Sequence, residues 1–291
     1  MSIQIITDST CDLDPAMIQG MSLVILPLSI IVGDQSYLDG ETILLPEVYD
    51  MMRQGIVPKT AQIPYERTYN VFRSCLEEGN DVIYISFSST MSGCFALAQM
   101  VAEELRAEFP NRNIAVLDSK GGSGATGLIV LQALKMADSG YAFEVVKAEI
   151  EYMADHIEHI FSVDDIEWLA KGGRIPKFVG TIGNILSIRP ILFVEKGCIA
   201  VQRVIRGKKK AIQAVADKVI TMAADFPAQL IAITHADDLP SAKALAELIL
   251  RGLPNCKTTL CQIGAVLGVH LGLKGIGAFC FNQKPEHYCL I

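Results

Sequence analysis

The chain has no apolar run near the ~20 residues of a membrane-spanning helix. Its start does not resemble a signal peptide, since Met1 leads straight into a strand-like stretch. Eight cysteines, at 11, 75, 94, 198, 256, 261, 280 and 289, include no C-x-x-C pair and no zinc-like spacing with histidine. Free thiols in a reducing cytoplasm are the simplest expectation, and no metal or cofactor is expected. Cys289 sits one place too late for a prenylation box. There is no excess of positive charge: the net charge is −7, which argues against a nucleic-acid partner. Also missing are H-E-x-x-H, G-x-S-x-G, G-x-x-x-x-G-K-[ST] and G-x-G-x-x-G, so no familiar catalytic set is in sight. No linker, repeat or low-complexity segment breaks the chain.

What is present is a greasy globular sequence of 291 residues, 51% apolar and 20% charged. That length is enough for two domains. The apolar excess suits a large core and is also compatible with an internal lipid cavity. Strand-like and helix-like segments alternate. Strands are expected at 3–7, 23–28, 81–85 and 113–117 and helices at 46–54, 64–78, 92–108 and 125–139, with a hairpin over 29–38 and loops at 58–62 and 118–124. Repeated strand–loop–helix units imply a doubly wound parallel sheet. A helix over 143–157 follows, and from about residue 161 the texture changes. Short helices are expected at 166–170 and 176–185, a hairpin across Lys196-Gly197, and helices at 208–224 and 241–251. Strands are expected at 229–234, 257–262 and 278–281, with a Gly-rich stretch over 264–277. The expected architecture is α/β in two domains. An N-terminal unit, 1–160, carries a hairpin insertion at about 24–45, and a C-terminal unit, 161–291, is built on a mixed sheet.

The strongest local signal is an apolar strand ending in Ser86-Phe87-Ser88-Ser89-Thr90-Met91-Ser92-Gly93, then a helix. Helix N-termini carry unpaired N–H groups and about half a positive charge, so hydroxyls there suit a carboxylate or phosphate. In a parallel sheet the loops after the strands share one edge. Asp8-Ser9-Thr10, the 86–93 loop and the 118–124 loop should therefore face one crevice. Ser92 is a helix cap, an anion ligand, or both. Thr60 by itself is a turn hydroxyl. His270, among Val266, Leu267, Gly268, Val269 and Leu271, is a core histidine or a donor to an acidic ligand. Arg174, in Lys171-Gly172-Gly173-Arg174, belongs to a helix C-terminus or pairs with an anion. The basic stretch from Arg203 to Lys210 is a solvated face or a surface for a partner or a membrane.

An ordered set of motifs then becomes recognisable. Asp8-Ser9 follows the first strand, Pro58-Lys59-Thr60-Ala61-Gln62 matches a T-[SA]-Q loop, and Ser88-Ser89-Thr90-Met91-Ser92-Gly93 matches S-S-x-[LM]-S-G. Asp118-Ser119 follows a later strand, Leu169-Ala170-Lys171-Gly172-Gly173-Arg174-Ile175 matches L-x-K-G-G-R-I, and Lys196-Gly197 sits in a hairpin. Over nearly its whole length the chain resembles the DegV family, which includes the fatty-acid-binding subunits of bacterial fatty acid kinase.

The resemblance implies one long-chain fatty acid held between two domains. Its carboxylate would lie at Thr60 and at Ser92, Gly93 and Cys94, joined by His270, with Ser9 and Arg174 nearby. It also implies a carrier that is not itself a kinase and presents the carboxylate to a separate ATP-dependent kinase subunit. One departure stands out: where the family reads H-T-G-P-G, this chain has His270-Leu271-Gly272-Leu273-Lys274. Two other readings follow from the same residues. One is a phosphotransfer enzyme related to dihydroxyacetone kinase, which needs a small polar pocket; the other is a lipid-sensing regulatory module.

Overall fold

The computed structural model describes residues 2–174 and 188–289. The helix expected at 176–185 lies outside them.

Four short apolar strands form the first sheet. These are β1 (Ile3–Asp8), β2 (Leu23–Leu26), β6 (Asp81–Ser86) and β7 (Ile114–Asp118), in the order β2-β1-β6-β7 and all parallel. The order reverses between β1 and β6, so the crevice at their carboxyl ends is the expected place for a ligand in this architecture. Between β2 and β6 the chain forms a second, antiparallel sheet in the order β4-β3-β5. It comprises β3 (Ser29–Val32), β4 (Gln35–Leu38) and β5 (Lys59–Ala61), with helix α1 (Leu45–Arg53) between β4 and β5. The hairpin of β3 and β4 matches the expected insertion, but β2 belongs to the parallel sheet, so the insertion starts after Leu26. The expected loop at 58–62 is corrected too, because β5 pairs with β3 and sets Thr60 opposite Ile30.

Helix α2 (Tyr65–Glu77) leads into β6, and α3 (Cys94–Glu108) links β6 to β7. Helix α4 (Ser123–Asp138) is buried along nearly its whole length, as an all-round apolar helix should be. It packs against β1 on one side and against the large C-terminal sheet on the other, joining both into one core with Ile5, Ile83, Ala232 and Phe279. Helix α5 (Phe143–His156) ends where β8 (Ile157–Ser162) starts. Residue 160, near which the boundary is expected, lies within β8, and β8 pairs inside the second large sheet.

That sheet is six-stranded and mixed, ordered β10-β9-β8-β13-β11-β12. Its strands are β8, β9 (Ile188–Glu195), β10 (Cys198–Arg206), β11 (Leu230–His235), β12 (Lys257–Gln262) and β13 (Ile276–Phe281). Only β11 and β12 are parallel neighbours. Helices α7 (Lys208–Met222) and α8 (Leu239–Gly252) cover one face, while the short helix α6 (Ile166–Gly172) follows β8. The Gly-rich stretch contains a helix that its sequence hides: α9 (Ala265–Leu271) has Ala265, Val266, Leu267, Gly268 and Val269 buried and His270 in its last turn.

Candidate functional site

The crevice is braced before it can bind anything. The buried Asp8 carboxylate at the end of β1 accepts the Thr10 N–H (3.0 Å), the Thr10 hydroxyl (2.6 Å), the Phe87 N–H (2.8 Å) and the Tyr84 hydroxyl (3.0 Å). Burial raises its pKa against the pull of these donors. Most hydroxyls of the 86–92 loop are likewise committed to the protein. Ser86 donates to the Phe87 carbonyl, and Ser89 to Asp118. Ser88 (2.8 Å) and Thr90 (2.5 Å) both donate to the Gly197 carbonyl at the tip of the β9–β10 hairpin. Gly197 has φ +80°, and a Cβ there would lie 2.8 Å from Ser88 Oγ, so both the turn and the contact favour glycine.

Ser92 is held more loosely than its neighbours. It accepts the Cys94 N–H at 3.3 Å and donates to Cys94 Sγ at 3.2 Å. The residue in the cap position of α3 is Gly93, one place later than a Ser92 cap would put it. Among the described residues nothing accepts the N–H groups of Gly93, Phe95 or Ala96, so the N-terminus of α3 keeps free donors. A Cβ on Gly93 would overlap Gln62 Oε1, so the missing side chain lets Gln62 reach this point. The Cys94 thiol is buried, and burial raises its pKa.

Opposite this terminus, β5 and α9 bring together two residues 210 positions apart: Thr60 Oγ1 and His270 Nε2 lie 2.7 Å from each other. His270 is pushed down to about 4, first by burial and then by the charge of Arg174, so its ring is neutral at pH 7. Its Nδ1 is buried without a partner among the described residues and lies over Gly172, where a Cβ would fall 2.8 Å away. Arg174 is exposed; its Nη1 donates to the Gly172 carbonyl (2.7 Å) and its Nε to the Met91 carbonyl (3.5 Å).

Two adjoining cavities meet here. A vestibule is lined by Thr60, Gln62, Ser92, Gly93, Arg174 and His270. Beside it lies an apolar chamber between Phe87, Phe161, Val163 and Phe279. Met91, Ile199, Leu267 and Leu271 line both spaces, so the two adjoin along a shared apolar tract. The glycines of residues 121–124, which fit no phosphate cradle, serve this tract by close packing. A Cβ on Gly122 would come within 2.5 Å of Phe87, and one on Gly121 would overlap His159 Nε2. His159 is fully buried in the chamber wall, its Nε2 has no hydrogen-bond partner, and burial pushes its pKa down to about 4.

Of the residues singled out in the sequence, Thr60, Ser92, Gly93, Arg174 and His270 converge on the vestibule, and Cys94 lies against it. Ser9 does not reach either cavity. Its Oγ accepts the Leu28 N–H (3.1 Å) and its hydroxyl faces Asp39, so it ties β1 to the insertion. Gln62 and His159 were not assigned from sequence; Gln62 was legible only as part of its motif. In the basic stretch, Lys208 pairs with Asp238 at 2.6 Å, and Arg203 and Arg206 lie on the edge strand β10, where charge discourages strand pairing. Among the described residues no group of three His, Cys, Asp or Glu side chains is placed to hold a metal ion, and no helix is long and apolar enough to cross a membrane.

The sequence model of the DegV family of uncharacterised proteins matches residues 2–283. The chain belongs to the DegV family. A DegV domain-containing protein of Clostridium acetobutylicum is 34% identical over 285 residues, covering 97% of this chain and 99% of its own. Among solved structures, a fatty-acid-binding DegV family protein of Thermus thermophilus superposes with a TM-score of 0.87 at 29% identity, covering 97% of this chain and 99% of that one. The Streptococcus pneumoniae fatty acid kinase B3 protein, solved with linoleic acid, shares the fold at 24% identity, with a TM-score of 0.87 and coverage of 97% and 100%. Within this DegV fold the departure after His270 has a structural meaning. Leu271 is part of the apolar wall between the two cavities, and the Lys274 N–H donates to the Ala236 carbonyl (2.6 Å) in a turn with φ +63°.

Proposed function

We propose that this DegV chain binds one long-chain fatty acid and offers its carboxylate to a separate ATP-dependent kinase that makes the acyl phosphate. The observation that carries the reading is an apolar chamber adjoining a vestibule of hydrogen-bond donors. Burying about 14 methylenes at ~0.8 kcal/mol each gives roughly 11 kcal/mol before ordering costs, so the tail supplies affinity. The carboxylate needs donors to offset desolvation. Thr60, Ser92 and the N–H groups around Gly93 and Cys94 supply them, with the Cys94 N–H the weaker because Ser92 already shares it, and His270 acts through Thr60. If His270 Nε2–H donates to Thr60 Oγ1, the Thr60 hydroxyl is free to donate to the ligand, which links the two residues in one relay. Arg174, exposed at the mouth, adds a positive charge on the side from which a kinase would approach. The fatty-acid binding of the Thermus thermophilus relative supports the ligand class. The apolar lining of the chamber disfavours the small polar substrate of a dihydroxyacetone-kinase-like enzyme. In this reading the chain is a carrier, and the phosphotransfer chemistry belongs to the partner.

Extraction and mass spectrometry of the purified protein should return one C14–C18 fatty acid per chain. A protein that is empty and refuses added fatty acid would overturn the reading. Thr60→Ala combined with Ser92→Ala should weaken fatty-acid binding by about tenfold or more, at ~1 kcal/mol per lost hydrogen bond, with the circular dichroism spectrum unchanged. Unchanged affinity would remove both hydroxyls from the head-group site. Acyl phosphate formation on mixing loaded protein, ATP and a fatty acid kinase catalytic subunit tests the presentation step. A regulatory module would bind lipid and yield none.

A further inference from the structure

Helix α9 carries His270 in its last turn toward the vestibule, so its placement sets the head-group contact. Seven residues with glycine in the middle do not hold such a helix by propensity. Its seat comes from the other end of the chain. The Tyr49 hydroxyl on α1 donates to the Ile263 carbonyl at 2.6 Å. One residue on, the N–H of Gly264, the cap of α9, donates to Asp12 Oδ1 at 2.8 Å. The other oxygen, Asp12 Oδ2, accepts the Ser123 hydroxyl at 2.5 Å, and Ser123 Oγ also lies 3.2 Å from Thr234 Oγ1 on β11. The Tyr49 ring lies flush against Gly268, where a Cβ would fall 2.6 Å from Cε1. Asp12 and Tyr49 are buried, and neither lines the cavities.

We infer that Tyr49 and Asp12 are positioning residues for the head-group site: by fixing the first turn of α9 they set His270 at hydrogen-bond distance from Thr60. The inference rests on the fatty-acid reading above. Its test compares the C16 fatty acid with the C16 alcohol, which shares the tail and lacks the carboxylate. Tyr49→Phe removes one oxygen and leaves the ring against Gly268. It should lower the preference for acid over alcohol about three- to tenfold, the worth of one hydrogen bond, with alcohol affinity unchanged. Asp12→Asn keeps an acceptor for Gly264 and should retain most of the preference, while Asp12→Ala should lose it. His270→Ala should lose the same preference, and adding Tyr49→Phe to it should cost nothing further. Equal losses for acid and alcohol, or additive losses in the double variant, would show a merely structural role and overturn the inference. If His270→Ala itself keeps the preference, the head-group assignment falls, and the inference with it.

Discussion

At the scale of single residues, the candidate site differs from its surroundings in how firmly its polar groups are committed. Ser86, Ser88, Ser89 and Thr90 spend their hydroxyls on protein acceptors, and Ser92 is the loosest of the set. His270 is the clearest case of environment setting chemistry. Burial and Arg174 both disfavour its cation, so NMR titration of the imidazole in the ligand-free protein should give a midpoint near 4. Arg174→Ala should raise that midpoint, and a bound carboxylate should raise it too, because an anion beside the ring favours the charged form. A midpoint near 6.5 would mean the ring is solvated and not held as described. From local sequence, Thr60 was a turn hydroxyl and His270 a core histidine or a donor to an acidic ligand; only the family resemblance put both at one head group, because their contact across 210 positions has no local signal.

At the scale of elements, glycine does opposite jobs in two neighbouring segments. In residues 121–124 it lets the start of α4 press against Phe87 and His159, a packing role that a search for phosphate loops does not reveal. In α9 it obscures a helix whose stability comes from burial and from Tyr49 and Asp12. Gly121→Ala should lower stability by about 1–3 kcal/mol in denaturant unfolding, because its Cβ would overlap His159. Combined with His159→Ala, the loss should be smaller than the sum of the two single losses. Strict additivity would mean that the ring is not the obstacle. Strand β5 escaped the sequence reading for a related reason: three residues after a proline show no periodicity, and only pairing with β3 makes them a strand.

At the scale of the whole molecule, buried carboxylates join the N-terminal and C-terminal sheets, and this leaves a mark on stability. Burial raises Asp12 to about 7 from an ordinary carboxylate value of 3.8. The folded state therefore holds the proton more tightly than the unfolded state. The contribution of Asp12 to stability is full below about pH 4, falls as pH rises toward 7, and is flat above, at no more than about 1.4 kcal/mol per pH unit. The buried histidines act in the opposite direction, since His159 and His270 are lowered to about 4 and lose stability on acidification below about 6.5. Comparing the wild type with Asp12→Asn isolates the acid. The advantage of the wild type over the variant should shrink from pH 5 to pH 7 and then level off. A difference independent of pH would place the Asp12 carboxyl in water.

The sequence by itself determined the class of fold and the place of the site. Period and turn chemistry are local properties, so the alternation of strands and helices was legible, and with it the rule that loops after parallel strands share an edge. The ordered motifs determined the family. Tertiary structure decided which residues do what at that edge. It took Ser9 away from the mouth, committed four of the five loop hydroxyls to bracing, gave Gln62 its place beside Gly93, and joined Thr60 to His270. It also turned a Gly-rich stretch into the helix that divides chamber from vestibule. The physical reason is the same in each case. A hydrogen bond or a packing contact between distant segments depends on where both ends lie in space, and neither end carries that information in its neighbouring residues.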